Sequence, residues 1–245
     1  MTDRQIALIT GANTGLGKAI AESLAREHGY HVIIASRNLN HGTVVATALL
    51  SEGFSAASVQ LDLESDDSIS KMVSFIQLQY GKLDVLVNNA GINIEYIKPK
   101  EPRTPREVFT KTFQTNLIGP ALLTDACLPL LKQAETPRVI FVSSNTASMA
   151  KSLDKSWYLY GLDIPAYKTS KAAVNMLSIT YSIKLEAMGG ICNSISLGGV
   201  NSKMSGFNEA AATPDDAAKK VVEMATLLKG SRTGTFEDVE GAFPW

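Results

Sequence analysis

Tyr167-Lys168-Thr169-Ser170-Lys171 places a phenol and an ammonium four residues apart, which on a helix is one face and one turn. A free tyrosine, with a pKa of about 10, is a poor acid–base catalyst at neutral pH. A lysine one turn away favours the phenolate and brings that pKa towards the working range. Alone, the same spacing also describes an exposed helix pair worth a few tenths of a kcal/mol. A second motif stands upstream. The apolar run Ile6-Ala7-Leu8-Ile9 leads directly into Thr10-Gly11-Ala12-Asn13-Thr14-Gly15-Leu16-Gly17-Lys18. Between a strand and a helix, such a turn binds a dinucleotide pyrophosphate, because glycines let the backbone approach and the helix N-terminus favours anions. The spacing is G-x-x-x-G-x-G rather than G-x-G-x-x-G. A P-loop is excluded: counted from Gly11, Leu16 stands where that motif needs its second glycine, and the Gly17-Lys18 pair is followed by Ala19 rather than a metal-binding hydroxyl.

These groups need a scaffold, and the chain supplies one in alternating periods. Short apolar runs at Ile6–Ile9, 31–35, 57–61, 83–87, 138–142 and 191–195 read as buried strands, with a short seventh near Thr235. Between them lie helical spacings: 15–28, a segment marked by Val44, Ala48 and Leu49, one from Ser65 through Ile76, one ending at Leu131, a long one over 166–188, and 214–228. Strand and helix in alternation cannot be joined by hairpins, so the sheet is expected to be mostly parallel with helices on both faces. No repeat, low-complexity tract or linker interrupts it. The predicted fold is a single α/β doubly wound (Rossmann) domain over residues 1–245, a three-layer sandwich with about seven strands.

Composition narrows the function classes. Of 245 residues, 23 are Lys or Arg and 24 are Asp or Glu, a formal net charge of −1 that gives no support to a nucleic-acid or anionic-membrane partner. Two cysteines, Cys127 and Cys192, cannot build a disulfide framework in a chain of this length, which suits a reducing compartment. No transmembrane span or signal peptide is read, and a cytoplasmic location is expected. His28, His31 and His41 do not make a metal site.

The turn also bears on which dinucleotide binds. An acidic residue about 20 positions after the glycines would take the ribose 2′-hydroxyl of NAD. That place is Arg37, and no Asp or Glu lies in Ala35-Ser36-Arg37-Asn38. A guanidinium pairs a 2′-phosphate, and Ser36 would add a hydroxyl donor, so NADP(H) is the expected cofactor. Lys18, in the first helical turn where the macrodipole disfavours a cation, is a further candidate for a phosphate.

Taken together, the motifs resemble the short-chain dehydrogenase/reductase family from end to end, and in particular its NADPH-dependent carbonyl reductases. Thr10-Gly11-x-x-x-Gly15-x-Gly17 is similar to the family's cofactor turn, which brings in Asn13, Thr14 and Leu16. Asn88-Asn89-Ala90-Gly91 is similar to the segment that braces the sheet and flanks the adenosine. The resemblance makes Asn116, Ser144, Tyr167 and Lys171 a catalytic tetrad and places Asp62 and Leu63 at the adenine. It implies reduction of a carbonyl: Tyr167 protonates the oxygen, Ser144 polarises it, Lys171 tunes Tyr167 and holds the ribose, and Asn116 holds a relay water.

Two departures from the family pattern stand out. After the sixth strand the family's Pro-Gly pair is here Leu197-Gly198, followed by Gly199 and Val200, with Ser202 in the place of a nicotinamide-binding threonine. Gly198, Val200 and Ser202 are expected at the cofactor. The gap from Ser144 to Tyr167 is long and contains Trp157-Tyr158-Leu159-Tyr160. That insertion either walls a substrate mouth with Ile94, Met149, Met204 and Phe207 or is an aromatic surface turn. Substrate loops are expected around 92–106, 145–165 and 199–213, and the charged, Pro-rich stretch 95–106, with Lys98, Lys100, Arg103 and Arg106, reads as a solvated loop. The expected substrate is a hydrophobic ketone or aldehyde. Two alternatives remain, an alcohol dehydrogenase working oxidatively with NAD(P) and a non-catalytic NADP-binding sensor. The chain is compatible with a monomer or a homo-oligomer. A serine hydrolase is excluded, because Ser144 lacks a G-x-S-x-G elbow.

Overall fold

The run Ile6–Thr10 is buried at every residue, as a strand covered by helices on both faces must be, and it forms β1, an interior strand of a seven-stranded sheet. The computed structural model describes residues 4–96, 102–202, 204 and 206–245; Lys98 and Lys100 lie outside them. The other strands are β2 (His31–Ser36), β3 (Ala56–Gln60), β4 (Val85–Asn88), β5 (Arg138–Val142), β6 (Ile191–Ile195) and β7 (Phe236–Glu237). Their order across the sheet is β3-β2-β1-β4-β5-β6-β7, and every neighbouring pair is parallel.

Helices α1 (Gly15–His28), α2 (Leu39–Ser51) and α8 (Pro214–Ala225) cover one face, burying Ile20, Leu24, Leu49 and Val221 against Ala7, Ile9 and Val32. Helices α3 (Asp66–Gln79), α5 (Gly119–Leu131) and α7 (Pro165–Glu186) cover the other, where Met72, Ile76, Leu123 and Tyr181 meet Leu8, Leu86 and Phe141. The order of strands reverses between β1 and β4, and in open parallel sheets the crevice outside the carboxyl ends at such a point is where ligands bind.

The stretch 95–106 is not loop throughout. Pro105 and Arg106 open helix α4 (Pro105–Phe113), because Thr104 and Glu107 form a capping box: Thr104 N donates to Glu107 Oε2 at 2.8 Å and Glu107 N to Thr104 Oγ1 at 3.3 Å, with Pro105 at the first helical position. Between α4 and α5 the helix widens into a π turn over Gln114–Ile118, closed by Gly119 N donating to Gln114 O. Pro120 accounts for the break, since it lacks the N–H that an α-helix would send to the Asn116 carbonyl. The long gap before Tyr167 is also partly helical, with a 3-10 turn (Asn145–Ala147) and the short α6 (Met149–Ser152).

Candidate active site

The glycine turn after β1 takes the backbone where side chains rarely go. Gly11 and Gly15 have φ of +66° and +52°. A Cβ on Gly17 would stand 2.5 Å from both Gly11 O and Asn89 Nδ2, so only glycine lets α1 pack this closely on the turn. Asn89 and Ala90 hold the turn from β4: their amides donate to Thr10 Oγ1 at 3.0 and 2.9 Å, and Asn89 Nδ2 donates to Thr10 O at 2.7 Å. Thr14 is the N-cap of α1, yet its side chain accepts no amide, so no side chain caps the leading N–H groups. Donors left open in this way make an anion site. Asn13 and Leu16 are half-buried beside it, and Lys18 pairs with Glu22 at 3.8 Å along the helix.

At the end of β2, Arg37 is exposed and Ser36 is not. The Ser36 hydroxyl donates its proton to Asn38 O at 2.8 Å inside the turn, so the second phosphate donor expected of it is already engaged, and Arg37 is the residue open to an anion. After β3, Asp62 Oδ1 accepts Glu64 N at 3.1 Å. Leu63 is buried so close to Gly119 that a Cβ there would lie 2.5 Å from its carbonyl. Burial raises the Glu64 carboxyl, but hydrogen bonds from Lys111 and Thr115, both 2.6 Å, and the charge of Arg37 hold it below the usual range.

The four residues expected as a tetrad come together at the carboxyl ends of β4 and β5. Ser144 follows β5 as N-cap of the 3-10 turn, its Oγ accepting Thr146 N at 3.2 Å. Tyr167 and Lys171 lie one turn apart on α7, with Lys171 Nζ 5.8 Å from the tyrosine ring centre and donating to Val142 O at 2.7 Å. Burial governs both groups. It pushes the phenol up to about 12, against a downward pull from the Ser144 hydroxyl hydrogen-bonded to it, and draws the ammonium down to about 8. The lowering of Tyr167 by Lys171 that the spacing predicts is thus not the leading influence in the protein's own surroundings. There, burial of the phenol outweighs it.

Asn116 lies buried in the π turn. Its Nδ2 donates to Ile92 O at 2.9 Å and Ser170 Oγ at 3.1 Å, and its Oδ1 accepts Ile92 N at 2.8 Å. Both amide hydrogens are therefore used within the protein, and the oxygen alone keeps a lone pair. Gly91 sits beside that oxygen: a Cβ there would meet Asn116 Oδ1 at 3.3 Å and Lys171 Nζ at 3.4 Å. The missing side chain leaves a small polar gap between the two.

On the far side of the site, Gly198 turns at φ +64°, Val200 bridges Ala212, and Phe207 N donates to Ser202 O at 2.9 Å. In the insertion, Trp157 packs edge-on against Tyr158, whose hydroxyl accepts from Asn145 Nδ2 at 2.9 Å, one residue from Ser144. Tyr158, Met149 and Phe207 are exposed, and Ile94 and Met204 are half-buried. Two features were not read from the sequence. Glu95 accepts the Ala166 and Tyr167 amides, a pairing with no local pattern to betray it. The π turn had a visible signal in Gly119-Pro120. Among the described residues, no group of three or more His, Cys, Asp or Glu is placed to hold a metal.

A glycine turn after the first strand, with a Ser, Tyr, Lys and Asn meeting at the carboxyl ends of the strands, is the arrangement expected of a dinucleotide-dependent oxidoreductase. The family model for short chain dehydrogenases matches residues 5–212, and the chain belongs to that family. It is 32% identical to a short-chain dehydrogenase/reductase of Stachybotrys chlorohalonatus, covering 99% of this chain and 94% of that one. Carbonyl reductase 1 of Rattus norvegicus, whose name specifies NADPH, is 30% identical over 100% of this chain and 99% of its own. Among solved structures, NADPH-bound carbonyl reductase from chicken fatty liver superimposes with a TM-score of 0.84 at 25% identity over 100% of both chains.

Proposed function

We propose that the protein is an NADPH-dependent reductase of hydrophobic ketones or aldehydes. The observation that carries this reading is the meeting of Ser144, Tyr167 and Lys171 beside the Gly91 gap, at the open end of a glycine turn. The residues present fit a dinucleotide phosphate: uncapped α1 amides for the pyrophosphate, and exposed Arg37 for a 2′-phosphate. Asn13, Thr14, Gly15 and Leu16 would line the pyrophosphate, Asp62 and Leu63 the adenine with Ala90, and Gly198, Val200 and Ser202 the nicotinamide end. The relatives named for NADPH carbonyl reduction support the same cofactor and reaction. The chemistry that cofactor supplies when bound is hydride donation to a carbonyl carbon.

The chain's own residues do the rest. The Tyr167 phenol, held protonated by burial, gives its proton to the carbonyl oxygen. The Ser144 hydroxyl hydrogen-bonds that oxygen as negative charge grows on it. Lys171, anchored on Val142 O, keeps further N–H groups for ribose hydroxyls and favours the phenolate left behind. Asn116 Oδ1 and Lys171 Nζ would share a water across the Gly91 gap, returning the proton. No helix among the described residues is long and apolar enough to cross a membrane. Both cysteines are buried and free, which supports a reducing setting such as the cytoplasm.

Tyr167→Phe should lower kcat by about 10² to 10⁴-fold while leaving NADPH affinity near wild type. Retained turnover would refute the acid assignment. Arg37→Asp should raise KM for NADPH far more than for NADH; equal changes would refute the 2′-phosphate contact.

A further inference from the structure

The helix that carries Tyr167 begins without a cap of its own. Ile164 holds the N-cap position with no side-chain acceptor, and Pro165 fills the first helical place. The next two amides, of Ala166 and Tyr167, donate to a single carboxylate from outside the helix: Glu95 Oε1 takes Ala166 N at 3.1 Å and Oε2 takes Tyr167 N at 2.7 Å. Each oxygen serves one orphan amide, and the negative charge sits where the helix dipole favours it. One of the two amides belongs to the proposed acid itself. Glu95 is half-buried in the loop that follows β4. That loop is also pinned at Ile92, whose N–H and carbonyl are both held by the Asn116 amide.

We infer that Glu95 is a positioning residue, a clasp between the loop after β4 and the start of α7 that sets the Tyr167 phenol against Ser144. The inference rests on the proposed role of Tyr167 as the acid. It also makes the loop bearing Ile94, on the substrate side, and the acid move as one unit.

Glu95→Ala and Glu95→Gln in the full chain test it, by amide hydrogen exchange at Ala166 and Tyr167 and by kcat and KM with NADPH and a reducible ketone. In E95A the two amides should exchange about tenfold faster or more. Its kcat should fall about tenfold to a hundredfold with KM for NADPH nearly unchanged, because the glycine turn is untouched. Gln keeps an acceptor of the same reach for one amide, so E95Q should recover part of the lost kcat. Wild-type exchange and wild-type kcat in E95A would overturn the clasp, as would a change confined to KM for NADPH. Should E95A fail to fold, wild-type kcat and exchange in E95Q would overturn it equally. If the wild type reduces no ketone while E95A exchange still rises, the clasp stands and the reductase reading falls.

Discussion

At the scale of single residues, burial shifts two groups towards their neutral forms, the Tyr167 phenol upwards and the Lys171 ammonium downwards, and linkage turns this into a pH signature. Between its folded pKa, about 8, and its ordinary value of 10.5, Lys171 binds fewer protons in the folded chain than in the unfolded one. Its contribution to stability therefore grows as pH rises through that interval. Tyr167 works in the opposite sense. Folded, it keeps its proton to about 12, whereas the unfolded phenol loses it near 10.0, so its contribution falls as pH rises above 10.0. Thermal melts of wild type and Lys171→Met from pH 7.5 to 9.5, a window set by the folded and unfolded lysine values, should show wild type gaining on the variant as pH increases. Parallel curves would contradict a depressed lysine.

At the scale of elements, the glycines set the tolerances. Gly17→Ala would force a Cβ to 2.5 Å from Gly11 O, with both partners fixed by the turn, and should cost about 1–3 kcal/mol of stability together with much of the NADPH affinity. Denaturant melts and cofactor titration check it; a variant as stable and as tight-binding as wild type would refute the packing argument. Gly91→Ala meets only side-chain atoms, at 3.3 and 3.4 Å, so it should fold normally but narrow the gap between Asn116 and Lys171 and lower kcat. Most of these elements were legible in the sequence. Buried parallel strands must be apolar runs, and a tyrosine and lysine four apart must share a helix face whatever surrounds them. The start of α4 at Pro105 departs from the loop expected over 95–106, because the Thr104–Glu107 box outweighs the charge and proline that mark the stretch as loop. The inward turn of Ser36 and the clasp of Glu95 on α7 were not legible at all. Each depends on what the chain brings alongside, from Asn38 in one case and from across the fold in the other.

For the whole molecule, positive charge matters by place rather than by amount. The chain is nearly neutral, yet Arg37 stands open at the end of β2 and Lys171 is sunk at the end of β5. Free NADPH at a hundred times its Kd should add about 2.7 kcal/mol to folding stability. In a chain of this size that is roughly 5–10 °C in Tm, with a smaller rise for NADH at equal concentration because Arg37 finds no 2′-phosphate. Equal shifts would point to NAD instead. The most direct test of the central claim is the rate of reduced-cofactor consumption by wild type and Tyr167→Phe across aromatic, aliphatic and cyclic ketones. Consumption of NADPH in preference to NADH by wild type, slowed about 10² to 10⁴-fold in the variant, is the predicted result. Turnover undiminished by the loss of the phenol, or wild-type protein that binds NADPH and reduces nothing in the panel, would contradict it.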